Sequence, residues 1–342
     1  MKADAALGRL GLSPSVSGPA PSDQRFPDGA HFRIEIPSVE NLRVLEAVLD
    51  AAREHEIVVN RVSQGSGAML LSESELREMA FLAAEAGLEV SLFVGPREGY
   101  GVGAHVRSVD GAAHAGQLRG IRGLAYAIED VARAVEAGIR SFLIADTGLL
   151  IALRDMQAAG ELPVECGWKI SVAMAPSNPA ALMVLAGLGA TTVNIPSDVT
   201  TAELAELRAA TSLPIDLYVE SPDSLGGVVR GNELADLVAV GAPIYSKFGL
   251  RNSRALYPAG DHIVAEAALI GREKVRRAAV ALEWLERLDP TLRQSAPGAE
   301  GIRVPSIAAL PGASHDGKAT SSGGPSPAPI GTHEEEERHA SL

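Results

Sequence analysis

Cysteine is nearly absent from this chain of 342 residues; the single one is Cys166. It can form no internal disulfide, and no iron–sulfur cluster or multi-cysteine zinc site held by one chain is expected. Aromatic residues are also scarce, at 4%. No apolar run reaches the roughly 18–20 residues that a membrane span needs, so no membrane partner is expected. Positive charge is in deficit: 30 Lys and Arg face 43 Asp and Glu, a formal charge of −13. Phosphate would be repelled by such a chain, which argues against a nucleic-acid partner. Part of the excess sits in the run Glu334–Glu337. The first 29 residues lack the continuous apolar segment of a secretory signal, so the expected location is cytoplasmic.

The chain is 46% hydrophobic and 21% charged, with 35 glycines, a composition that suits a closely packed α/β protein. Residues 1–30 are rich in Ser, Pro, Gly and Ala and read as a flexible N-terminal arm. From residue 289 the text becomes low in complexity and acidic. It holds too little apolar surface to offset the entropy of ordering, so 289–342 reads as a disordered tail. Residues 31–288 between them alternate in a regular rhythm.

Short β-rich runs fall at 32–37, 57–63, 88–95, 140–147, 169–176, 191–197, 215–221 and 243–249. Amphipathic helical text follows most of them. "SESELREMAFLAAEAG" opens at Ser72 with an N-cap signature and closes on Gly87, a C-cap signature. The last helical stretch, "HIVAEAALIGREKVRRAAVALEWLERL", is the longest. Eight strand–helix units make an α/β protein of the (β/α)8 TIM-barrel class. An open doubly wound sheet is the alternative, but the first strand–helix turn lacks the G-x-G-x-x-G of its dinucleotide-binding form.

A barrel gathers its strand C-termini on one face, where its chemistry sits. Those ends carry Glu35, Arg61, Gln64, Asp146, Asn194, Tyr218, Glu220 and Lys247. Alternation supports several of them. Ile34 and Ile36 flank Glu35, Ser246 and Phe248 flank Lys247, and Tyr218 and Glu220 alternate with Leu217 and Val219. For the second strand, either Asn60 or Arg61 could face inward. Strands one, eight and seven become neighbours on closure, which would set Glu35, Lys247 and Glu220 side by side. A lysine between two carboxylates is expected to stay protonated and to stabilise a developing anion.

Glu35, Asp146, Glu220 and Lys247 are therefore the candidate catalytic residues, with a carboxylate as acid or base. The alternative is an ion network that only ties the barrel together. A divalent metal held by paired carboxylates is compatible with these residues, but no His stands at a strand end and no metal ligand is assigned. The loop after strand eight places Arg251 and Asn252 beside Lys247, where barrels hold phosphate or carboxylate groups. With Arg61, Gln64, Asn194 and Tyr218 they form the candidate substrate-binding set. The long segment 95–123, with Arg97, Tyr100, His105, Arg107 and His114, reads as a lid, a flexible insertion or an oligomer contact. The partners expected are a small-molecule or peptide substrate, with a homo-oligomer left open. Cys166 precedes strand five on the opposite face and reads as a packed thiol.

The second half, "KISVAMAPSNPAALMVLAGLGATTVNIPSDVTTAELAELRAATSLPIDLYVES", resembles the peptidase U32 (collagenase-like protease) family in layout. The resemblance spans the barrel body and is strongest in the later strands. It implies a barrel fold and a hydrolase of amide or peptide bonds. The family's signature there, Glu-x-Phe-x-His-Gly followed by clustered cysteines, is replaced by Asp216-x-Tyr218-x-Glu220-Ser221 with no cysteine. The cysteine-held cluster of some members is thus not expected, and no Ser/His/Asp, Cys/His or H-E-x-x-H pattern is visible. An aldolase or lyase acting on a small carboxylated or phosphorylated substrate is the second reading, and a catalytically silent binding barrel the third.

Overall fold

Alternation of apolar and polar residues along each strand gives it two faces, and ring closure decides what each face meets. The computed structural model describes residues 2–10, 18–101, 103–111 and 114–307. A first helix, α1 (Lys2–Arg9), precedes eight parallel strands hydrogen-bonded in sequence order into a closed ring. They are β1 (Phe32–Pro37), β2 (Arg61–Gln64), β3 (Glu89–Phe93), β4 (Ser141–Ile144), β5 (Gly167–Ile170), β6 (Thr192–Asn194), β7 (Ile215–Glu220) and β8 (Ile244–Phe248). Between them run α2 (Leu42–Glu54), α3 (Glu73–Glu85), α4 (Gly120–Glu136), α5 (Thr147–Ala158), α6 (Pro179–Gly187), α7 (Thr201–Ala209) and α8 (Leu234–Gly241). The long α9 (Val264–Leu288) follows β8 and packs on α2, completing the outer layer. The TIM barrel expected from the sequence is the fold observed.

Local chemistry sets several helix starts. Ser72 and Glu75 cap α3 reciprocally, Thr200 and Glu203 do the same for α7, and Asn41 accepts from the Val44 amide at the start of α2. Each cap satisfies amides that the helix cannot pair internally. The outward strand residues, such as Ile34, Ile36, Val62, Leu92, Ile170, Leu217 and Phe248, are buried against the helices. Each such side chain contributes about 1.5–3 kcal/mol of transfer free energy. No helix among the described residues is long and apolar enough to cross a membrane.

Both flanking segments depart from expectation. Residues 289–307, assigned above to a disordered tail, run across the N-terminal end of the barrel. Ser295 is buried, its carbonyl accepts from Asn60 Nδ2 at 3.0 Å, and its hydroxyl accepts from Arg33 Nε at 2.9 Å. The Gly298 amide donates to the Gly87 carbonyl at 2.7 Å, and the Ser306 amide to Gly138 at 2.8 Å. Gly87 has φ +61, and a Cβ there would fall 2.7 Å from the Gly298 amide nitrogen. The C-cap glycine therefore also admits the segment that seals the barrel. In the N-terminal arm, Phe26 packs edge-on against Tyr245, and Ser22 Oγ donates to the Ala242 carbonyl at 2.6 Å. Low complexity hid these segments because their anchors are backbone groups and a few side chains rather than a periodic apolar face. Residues 308–342, the rest of the expected tail, lie outside the described residues, as do 11–17 of the arm.

We expect a chain ending at residue 288 to melt several degrees below the full chain, and one ending at 307 to melt close to it. Thermal unfolding followed by circular dichroism measures both. Equal melting of the 288 and 307 chains would mean the sealing segment stabilises nothing.

Candidate active site

Each strand contributes one inward residue to a buried layer and, two positions later, one to the floor of a cavity at the strand C-termini. The pairs are Glu35 and Pro37, Arg61 and Ser63, Ser91 and Phe93, Ser141 and Leu143. They continue with Lys169 and Ser171, Thr192 and Asn194, Asp216 and Tyr218, and Tyr245 and Lys247. The first member of each pair is buried and the second lines the cavity, whose volume is about 700 Å³. Period-two alternation alone produces this two-storey arrangement.

The lower storey is an ion network. Glu35 Oε2 accepts from Arg61 Nε at 2.7 Å and from Lys169 Nζ at 2.5 Å, and its Oε1 accepts from Ser63 Oγ at 2.7 Å. Arg61 also pairs with Asp216, lies 3.5 Å from Glu89, and stacks over the Tyr245 ring at 3.4 Å. Asp216 accepts from Thr192 Oγ1 at 2.8 Å. Burial by itself would raise the Glu35 pKa. Arg61, Lys169 and Lys247 overcome that and hold the carboxyl well below the usual range. Lys169 is pushed down to about 7, first by burial and then by Arg61, against the opposing pull of Glu35. Removing water from so many charges is costly, so each one depends on its partners remaining in place.

Lys247 forms part of the upper storey. Its Nζ donates to Asn194 Oδ1 at 2.6 Å, stands 3.4 Å from Glu35 Oε1, and lies over the Tyr218 ring at 4.3 Å. Asn194 is itself oriented by donating to the Ile170 carbonyl at 2.6 Å. Burial first, then the charges of Glu35 and Asp216, push the Tyr218 phenol far upward, so it stays neutral. Lys274 enters the cavity wall from α9 and donates to the Pro37 carbonyl at 2.7 Å; burial lowers its pKa to about 8, against Glu40. Arg97 and Arg254 also line the cavity. Asp223 is the single carboxylate among the lining residues, facing four cationic side chains.

Of the residues expected from sequence, the structure brings Lys247, Asn194 and Tyr218 together at the cavity floor, with Glu35 directly below. The others need correction. Glu35 and Arg61 are fully buried and do not line the cavity; Glu35 already accepts from three donors and is a poor acid or base. Glu220 does not join them. A bulge between Tyr218 and Glu220 puts Glu220 in register with outward-facing Phe248, and its carboxylate accepts from the Arg251 amide at 3.1 Å. Asp146 caps α5, accepting from the Leu149 amide at 2.9 Å and from the Leu118 amide at 3.1 Å. Gln64 lines the cavity but spends both ends of its amide on Gly67. Arg251 and Asn252 are not among the lining residues but adjoin one of them: exposed Arg251 stands 3.9 Å from Asp223, and the Asn252 backbone amide donates to Asp223.

Among the described residues, no group of three or more His, Cys, Asp or Glu side chains converges to hold a metal ion. The carboxylate pairs considered for that role are dispersed and already occupied. Burial raises the Cys166 thiol to about 11, in keeping with a packed, unreactive side chain.

Sequence reasoning missed Lys169, although Trp168 and Ile170 flank it as outward apolar residues and alternation could have found it. It also missed Lys274 and Tyr257. The first lies on a helix, where lysine reads as solvated. The second lies on a loop, and its hydroxyl meets Ser38 Oγ at 2.6 Å across the mouth. Of the segment 95–123, Arg97, Ala115 and Gly116 line the cavity.

No protein-family model matches the chain, and no curated protein matches it. Solved structures do. The YdjI aldolase from Escherichia coli K12 is 17% identical, covering 75% of this chain and 90% of that one at a TM-score of 0.42. The putative copper homeostasis protein CutC from Streptococcus agalactiae is 15% identical, covering 63% and 98% at 0.43. The U32 peptidase Mk0906 is 13% identical, covering 75% and 83% at 0.35. Likeness this distant carries no argument about reaction or substrate, and the resemblance to U32 peptidases reduces to a shared barrel architecture.

Replacing Glu35 by Gln leaves Arg61 and Lys169 short of their shared anion, and we expect a loss of about 3–5 kcal/mol in urea unfolding. In the folded protein Arg61 holds both Glu35 and Glu89 below the ordinary glutamate value of 4.5, against the effect of burial. Their stabilisation is therefore complete above that value and lost as pH falls through the lower, folded-state values. Melting temperature is expected to drop steeply below about pH 4.5 in the wild type and less steeply in Glu35→Gln. Parallel acid limbs in the two proteins would contradict the assignment.

Proposed function

We propose that this protein is a barrel enzyme of the aldolase or lyase class, acting on a small anionic carbonyl compound. The observation that carries this reading is the charge of the cavity lining: Lys247, Lys274 and Arg97, with Arg254 paired to Glu266, against the one lining carboxylate Asp223, in a chain whose total charge is −13. An acidic protein that concentrates cations in one concave site is organised to attract and hold an anion.

Within that cavity Lys247 is the electrophilic group. It is positioned by Asn194 and rests on the Glu35 layer, so it can stabilise an enolate oxygen without reorganising at the moment charge develops. The Tyr218 ring beside it, its phenol kept neutral by burial and by Glu35 and Asp216, adds a polarisable wall against the ammonium. Lys169 has a lowered pKa but lies beneath the floor against Glu35, out of reach of substrate, and its charge opposes that of Lys247 across the carboxylate they share.

The amide-hydrolase reading has less support. Ser63, a hydroxyl at the cavity floor, donates to Glu35, a carboxylate held too far below the usual range to accept its proton readily.

We expect acidic metabolites, tested as a pool in a thermal-shift screen, to raise the melting temperature while neutral sugars and amines do not. Once a substrate is in hand, Lys247→Met should lower kcat by roughly a hundredfold or more with melting little changed. A Lys247→Met protein of full activity would end this reading.

A further inference from the structure

Among the described residues, five buried side-chain polar atoms have no hydrogen-bond partner: Ser91 Oγ, Arg97 Nε, Arg208 Nε, Ser246 Oγ and Arg303 Nε. Of these residues, only Arg97 lines the cavity. Its guanidinium lies over the Phe93 ring, 3.6 Å from the centroid, with the Tyr100 and Tyr257 rings at 5.5 and 5.6 Å. The one hydrogen bond of its side chain among the described residues is a long 3.5 Å contact from Nη1 to the Tyr100 hydroxyl. The nearest acid in sequence, Glu98, is committed to Arg119 at 2.9 Å.

The backbone around Arg97 is held in place. The Glu98 amide donates to the Gln117 carbonyl at 3.2 Å, the Gly99 amide to Ala115 at 3.0 Å, and the Tyr100 amide to Arg97 at 3.1 Å. The side chain is half-buried, its Nε is shut off from solvent without a partner, and among the described residues no anion pairs with its guanidinium. Leaving a buried charged donor unpaired costs free energy, and an incoming acceptor recovers it.

We propose that Arg97 selects the substrate by receiving its carboxylate through paired hydrogen bonds from the guanidinium's Nη groups. This deepens, and rests on, the reading of the cavity as a site for a small anionic substrate. The guanidinium is a planar fork with the Phe93 ring 3.6 Å from its carbon, so its Nη edge is left for contact. A planar carboxylate matches that edge with two parallel bonds and fits between the ring walls. A tetrahedral phosphate presents oxygens out of that plane and meets the rings. With the carboxylate anchored on Arg97, which stands on the β3–α4 loop, the rest of the molecule extends toward Lys247 at the cavity floor.

The test uses the full-length protein with pyruvate, succinate and inorganic phosphate at one ionic strength, read by calorimetric titration and thermal shift. We expect wild type to bind at least one of the two carboxylates more tightly than phosphate. In Arg97→Met that affinity should fall tenfold or more, and Arg97→Lys should recover only part of it, because a lysine cannot supply the fork. If Arg97→Met fails to fold, Arg97→Lys with a native circular-dichroism spectrum carries the comparison. Equal carboxylate binding by wild type and the folded variant overturns the proposal, as does preference for phosphate, or binding of none of the three by wild type. Unchanged carboxylate binding in Arg97→Met leaves the role of Lys247 standing, whereas full activity in Lys247→Met leaves the Arg97 anchor standing.

Discussion

The interior of this barrel depends on one carboxylate. Glu35 receives Arg61, Lys169 and Ser63 at hydrogen-bonding distance, with Lys247 just beyond at 3.4 Å. Three cations from three different strands could not share so small a dry volume without it. Asp216 and Glu89 complete the neutralisation of Arg61, and the Tyr245 ring covers the guanidinium face. Many barrels fill this volume with branched apolar side chains. Here the filling is ionic, so ring closure and charge pairing depend on each other.

That layer has a functional consequence. It makes a rigid, charged floor for the cavity above, and Lys247 stands on the floor with its direction fixed by Asn194. An ammonium held this way is pre-oriented, and pre-orientation is what allows a positive group to act on a developing anion. The walls add Lys274 from α9 and Arg97 and Arg254 from the two long loops, so elements distant in sequence each supply charge to one concavity. Beneath the floor, the segment 289–307 and the Phe26 region close the other end of the ring, keeping water from the ionic layer.

The residues that the sequence offered as one cluster fall into two storeys of the barrel. The ion network that ties the barrel together is the lower storey, built on Glu35 and Arg61. Lys247, Asn194 and Tyr218 form the upper one, at the cavity floor. A spacing of two residues along each strand separates them, a distance that strand text alone does not convert into depth.

The sequence by itself determined the strand–helix rhythm, the inward parity of Glu35, Tyr218 and Lys247, and the adjacency of the first and last strands, because period-two alternation and unit count are local properties. It also carried the helix cap at Ser72. Only the tertiary structure decided that Glu220 turns outward, since the cause is a register bulge between two strands. Depth inside the ring placed Glu35 and Arg61 beneath the cavity rather than in it. The same holds for Asp146, whose two oxygens are claimed by amides from separate segments, and for Lys274 and Tyr257, which reach the cavity from a helix and a loop. Each of these outcomes is set by partners far away in the chain, and pairing of that kind has no period for a sequence to display.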